Sequence, residues 1–157
     1  MAILRIEPQE EDIVYFVLPD LLPDCTLVYN PSLSTLNCLM NADSHPILQG
    51  QQQFTGSELA LLLPLLRSFP HYAPYELLFT SYSYGIDGIT DKRVEKARQH
   101  LYKAMDEGTW DREMRPLRNV MNRVRTKLRA LQLDSICLLE TGYIIFSVPM
   151  QEARKHP

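Results

Sequence analysis

The order of apolar patterns predicts an α+β fold: an N-terminal antiparallel sheet, four helical stretches and a C-terminal β-hairpin. Three observations carry this reading. Residues 2–48 are rich in branched and aromatic residues, punctuated by Pro8, Pro19, Pro23 and Asn30-Pro31. Residues 55–131 hold helix caps and leucines at helical spacing. The segment "SICLLETGYIIFSV" is two apolar runs around Glu140-Thr141-Gly142, a hairpin signal.

In the first part, "ILRI" and "DIVYFVL" read as strands, and "LSTLNCLM", "NADSHP" and "ILQG" as strand, turn and strand. Thr55, followed three residues later by Glu58, forms a capping box for a helix over 55–67, with Leu59, Leu62, Leu63 and Leu66 on one face. Pro64 inside that pattern is expected to kink the helix or shorten its register. "FPHYAP" reads as a connector, and "PYELLFTSYSYG" as a second helix with Pro74 at its first position and Gly85 at its end. Thr90 opens a third helix with Val94, Ala97, Leu101 and Met105 as its apolar stripe, and Gly108 closes it. "TWDREMRP" reads as a connector into a fourth helix over 114–131, and "PMQEARKHP" as a frayed tail.

The chain has 157 residues, a net charge of -3 and a hydrophobic fraction of 45%. These values fit one soluble domain, long enough to bury a core. The apolar run at residues 59–66 falls far short of the roughly 18 residues of a membrane span, and "MAILRIEPQEED" lacks the features of a signal peptide. Cys25, Cys38 and Cys137 are scattered without metal spacing; they read as small core residues in a reducing cytoplasm. His45, His71, His100 and His156 share no pattern. No nucleophile elbow, P-loop, zinc-binding helix or carboxylate pair suggests an enzyme, and no cofactor is implied.

The fourth helix departs from this acidic background. From Arg112 to Arg129 there are six arginines, one lysine and a single acid, Glu113, a net +6 against -9 for the rest of the chain. Leu117, Val120, Met121, Val124, Leu128 and Leu131 form a core-facing stripe. Opposite lie Arg115, Arg118, Asn122, Arg125 and Arg129, flanked by Asn119, Arg123 and Thr126. Arginine offers a planar fork of donors that matches phosphate oxygens and the guanine edge, and asparagine can pair with adenine. The wheel alone fits a DNA-reading helix and a solvated, ion-paired helix about equally.

With its motifs in order, the chain resembles the OmpR/PhoB-type winged-helix DNA-binding domain. "FTGSELALLLPLL" is similar to that family's first helix, "YELLFTSYSYG" to its second, "RVRTKL" to the end of its recognition helix, and "ICLLETGYIIF" to its wing. The resemblance spans residues 33–148. It implies a winged helix-turn-helix with a three-helix core and a wing, acting as a bacterial-type, cytoplasmic transcription regulator on double-stranded DNA.

It also implies that Arg118, Asn122, Arg123, Arg125 and Lys127 occupy the recognition-helix contact positions. Combined with the wheel, this places Arg115, Arg118, Asn122 and Arg125 nearest the bases. Arg123, Lys127 and Arg129 then meet phosphate, with Asn119 and Thr126 beside them, and Thr55 at the first-helix N-terminus holds a further phosphate.

Three departures stand out. Glu140 occupies the wing position where the family carries a base. An insert at about 85–110 lengthens the loop that in the family meets RNA polymerase, which makes it a candidate polymerase, partner or dimer surface. Residues 1–32 form a β extension too short for a receiver domain, so phosphorylation control is not implied. Trp110 is expected to anchor the insert to the core, and Tyr143 to pack beneath the wing. The alternative reading is a winged-helix protein-interaction module that docks its basic helix on an acidic partner.

Overall fold

The computed structural model describes residues 13–41 and 45–149. The "ILRI" strand and all but the first residue of the 149–157 tail lie outside them, as do three residues of the "NADSHP" turn. Among the described residues the fold is α+β, with four α-helices and two antiparallel sheets.

The first sheet has strands β1 (Val14–Val17), β2 (Cys25–Asn30), β3 (Thr35–Met40) and β4 (Ile47–Gln53), in that spatial order. The 32/33 boundary falls in the β2–β3 turn, so residues on both sides share one sheet. Period-2 alternation sends Phe16, Cys25, Leu27, Tyr29, Leu36 and Cys38 inward. None of the 23 strand residues is charged. Tyr15 and Val17 lie exposed on the edge strand β1.

Helix α1 (Gly56–Arg67) begins with the expected capping box: Thr55 Oγ1 accepts from the Glu58 N–H, and Glu58 Oε1 accepts from the Thr55 N–H at 2.8 Å. The helix continues past the buried Pro64 for another three residues, so the proline does not shorten it. Proline has no N–H to give the Ala60 carbonyl one turn back. The Ser81 hydroxyl donates to that carbonyl instead, from the neighbouring helix α2 (Tyr75–Tyr84). A missing helix bond has become a bond between helices.

Pro74 is not the first residue of α2. It ends a short strand, β5 (Tyr72–Pro74), inside the segment read as a connector, and caps the helix in extended geometry. A three-residue strand shows no periodicity of its own. It is specified by pairing with β7 (Gly142–Ser147), which also pairs with β6 (Leu133–Leu138). A Cβ on Gly142 would lie 2.1 Å from the Ala73 carbonyl oxygen, so this approach requires glycine.

Helix α3 (Asp91–Glu107) has Thr90 as N-cap and Gly108 as a left-handed C-cap, as expected. Its buried residues are Leu101 and Ala104; Met105 is exposed and Val94 and Ala97 are half-buried. The stripe is narrower because α3 lies on the outside of α2 and α4 and has one packed flank. Helix α4 (Trp110–Leu128) starts four residues earlier than expected and absorbs "TWDREMRP", with Pro116 in an exposed turn. Residues 129–131 form a 3-10 turn.

Met114, Leu117, Val120, Met121, Val124, Leu128 and Leu131 are all buried against the leucines of α1. Tyr75 packs edge-on against Trp110 and Tyr143 at 5.6 and 5.8 Å, and its hydroxyl donates to the Leu139 carbonyl, tying the hairpin tip to α2. Gly50 lets β4 meet the end of α4, since a Cβ there would lie 2.2 Å from the Ala130 oxygen. Cys25 and Cys38 are buried, but Cys137 is exposed, contrary to its core expectation: it lies in the outer half of β6, where Ile136, Cys137 and Leu138 are all exposed.

Ser81→Ala removes the donor to the Ala60 carbonyl in a partly buried site and is expected to cost about 1 kcal/mol. In a Pro64→Ala background, where the helix can make its own bond, the same substitution should cost measurably less. Denaturant titration of the four proteins checks this; equal costs in both backgrounds would sever the link between the serine and the proline.

Candidate nucleic-acid interface

Helix α4 lies between two buried carboxylates. On one flank, Asp134, only 2% exposed at the start of β6, accepts from Arg125 Nε at 3.1 Å and Arg129 Nη2 at 2.6 Å, and from the Ser135 N–H at 2.7 Å. On the other, Glu58 is 1% exposed and accepts from Lys127 Nζ at 2.6 Å, with Arg123 Nε at 3.7 Å. Lys127 also sits 5.4 Å from the Phe54 ring centre. Four of the cations expected to face DNA therefore also hold α4 to the first helix and the hairpin.

These pairs differ in weight from surface ones. Arg118 meets Asp111 at 3.1 Å, but both side chains are exposed, and such pairs contribute about 0–1 kcal/mol. Stripping a fully buried pair of one partner costs about 3–5 kcal/mol. Here the carboxylates are buried and their cations partly exposed, so removing a cation strands a buried charge while removing an acid does not. Burial raises the Glu58 carboxyl, but the Lys127 hydrogen bond and the Thr55 N–H outweigh it and hold the group below its ordinary value of 4.5.

The flanks leave a ridge between them. Arg115, Asn119, Asn122 and Thr126, at i, i+4, i+7 and i+11, are exposed opposite the buried stripe. Arg115 has no carboxylate within ion-pair distance among the described residues. The Thr126 hydroxyl donates to the Asn122 carbonyl at 3.1 Å. The sequence wheel placed Arg118 and Arg125 in the centre and Asn119 and Thr126 at the side; the packed orientation reverses this. Arg112 is exposed at the N-terminal end, 3.6 Å from Glu113.

Thr55, the tenth candidate contact, is committed to its capping box, and the Glu58 carboxylate already occupies the α1 N-terminus. Among the described residues, six of the seven cations from Arg112 to Arg129 face four carboxylates, Glu58, Asp111, Glu113 and Asp134, and Arg115 faces none. The surplus is three positive charges, half of what the isolated segment carries. Glu140 lies exposed in the β6–β7 turn.

The sequence reading missed Asp134 entirely and took Glu58 only as a cap. An acid inside the otherwise uncharged strand "LDSICL", following two arginines at 125 and 129, was the available signal for Asp134. The insert joins the site through His100, whose Nε2 lies 3.0 Å from Glu113 Oε2, and through Arg98, which reaches Glu76 on α2 at 3.3 Å. No described helix is long and apolar enough to cross a membrane. No family model, curated protein or solved structure matches this chain.

Glu58→Ala is expected to lower unfolding free energy by about 3 kcal/mol at neutral pH, through the lost cap and the lost hydrogen bond from Lys127. Because Glu58 titrates low when folded, its ionised form stabilises the fold fully above pH 4.5, and that contribution is lost as pH falls through the lower folded value. Glu58→Gln should flatten this part of the acid limb. An unchanged pH profile of stability in Glu58→Gln would contradict the clamp.

Proposed function

We propose that this chain is a cytoplasmic, sequence-specific DNA-binding regulator with a winged helix-turn-helix arrangement of the OmpR/PhoB type, and that it places α4 in the major groove. The observation that carries the reading is the ridge of Arg115, Asn119, Asn122 and Thr126. It projects donors suited to base edges, contains no acid, and belongs to a helix anchored from behind along its whole length. A single domain of this size covers little DNA, so the bound state is a homodimer or a complex with a second protein, with the 85–110 insert as the candidate contact for that protein or for RNA polymerase.

The residues then divide by role. Arg115, Asn119 and Asn122 read bases, Arg118 leaves its weak surface pair with Asp111 to meet phosphate, and the exposed Arg123 meets phosphate from beside Glu58 without leaving it. Arg125, Lys127 and Arg129 orient the helix through Asp134 and Glu58. With four of the seven cations offset by carboxylates, about three phosphates are neutralised, for a log–log salt slope near -3.

A second reading has its own support. Glu140 at the hairpin tip would repel phosphate, and the internal pairing of the basic helix would suit docking on an acidic protein surface.

Fluorescence anisotropy with selected duplex DNA, at about 50 and 200 mM salt, tests the first reading. Arg115→Ala should weaken binding to the selected site by about tenfold or more, in line with the 1–3 kcal/mol of a bidentate base contact. Glu140→Lys should strengthen binding to all sequences alike. No retardation at low salt, with a stoichiometric acidic protein co-purifying, would decide for the second reading.

A further inference from the structure

Helix α3 does more than lengthen a loop. Between it, α2 and the first turns of α4 lies a groove of about 430 Å³, within the roughly 300–1,000 Å³ of small-molecule sites. Its walls are chiefly apolar: Phe79, Tyr82 and Tyr84 from α2, Ala97 from α3 and Pro116 from α4. Tyr84 is 53% exposed, a large ring left open to solvent beside cations.

The polar groups are biased to one sign. Arg93 and Lys96 line the groove from α3. The Arg93 guanidinium is held in place: it lies 4.0 Å from the centre of the Tyr84 ring and donates to the Gly88 carbonyl at 2.9 Å. A Cβ on residue 88 would sit 2.7 Å from Tyr84 Cβ and 3.3 Å from Arg93 Nη1, so glycine is what permits this stack. Lys96 is exposed and has no carboxylate within ion-pair distance among the described residues. The one acid in the lining, Glu113, is already engaged by His100 at 3.0 Å.

An aromatic slot with one pre-positioned guanidinium and an uncommitted ammonium complements a compact ligand with a flat apolar body and an anionic group. We propose that the groove between α2, α3 and α4 is a binding site for a small aromatic carboxylate, sulfonate or phosphate. The site stands independently of what α4 itself binds. Its ligand touches both the insert and the start of the basic helix, so it would fix their relative position.

The anionic dye 8-anilinonaphthalene-1-sulfonate, titrated into the full chain, is the probe. Saturable binding with enhanced, blue-shifted fluorescence is expected. Lys96→Glu, at an exposed position outside the core, should weaken it about tenfold, the scale of a hydrogen bond to a charged group. Ala97→Trp should abolish it by filling the slot. The uncharged analogue N-phenyl-1-naphthylamine should bind at least tenfold more weakly, for the same reason.

Three results would overturn the proposal. One is no saturable binding. Another is equal affinity for the two dyes with no effect of Lys96→Glu. The third is loss of dye binding in a Tyr15→Ser/Val17→Ser protein, which would place the dye on the uncharged face of the first sheet.

Discussion

Two carboxylates removed from water, Glu58 and Asp134, organise this molecule. A buried acid is tolerated only where cations and N–H groups satisfy it, and here both acids draw their cations from α4 and the turn that closes it. Apolar packing fixes which side of α4 faces inward. The carboxylates reinforce that orientation and fix position along the axis, because four side chains must reach two points on opposite flanks. The cap of the first helix, the start of the hairpin and the basic helix are thereby joined in one electrostatic arrangement. Which polar residues remain exposed follows from it.

The same economy recurs elsewhere. Pro64 withdraws a donor from its own helix, and Ser81 of α2 supplies one. Tyr75 packs against Trp110 and Tyr143 while its hydroxyl holds the hairpin tip. Burial and neighbouring groups push the Tyr75 phenol well above its usual range, so it stays a neutral donor at any ordinary pH. The inserted helix is attached differently, through half-exposed ion pairs and a narrow apolar flank. It therefore borders an open groove instead of closing over one.

Much of this was legible in the residues. The capping box at Thr55 and Glu58, the buried stripe of α4, the α3 caps and the terminal hairpin follow from local rules of spacing and capping. β5 was not legible, because three residues carry no period and their partner lies about 70 residues away. Nor was the start of α4 at Trp110, because "TWDREMRP" reads as a connector, and its Pro116 is absorbed in an exposed helical turn. In the candidate site, the ten residues named from sequence contain the whole ridge but not its centre. A wheel at about 100° per residue already centres the face opposite the stripe on Arg115, Asn119, Asn122 and Thr126, so the misplaced centre was an angular misassignment. A wheel cannot see that Arg125 and Arg129 bend toward an acid on β6, or that Lys127 reaches back 69 residues to Glu58. Long-range pairing of charges, more than secondary structure, was the missing information.

The most direct measurement is two-dimensional amide NMR of the isotopically labelled chain during titration with a selected DNA duplex. The largest shifts are expected on Arg115, Asn119, Asn122 and Thr126, with Glu58 and Asp134 keeping their free-state environments. Shifts confined to the first sheet or to the α2–α3 groove would contradict this. So would release of Glu58 and Asp134 from their arginine and lysine partners on binding, since the clamp would then be a placeholder for phosphate and not the frame that presents the ridge.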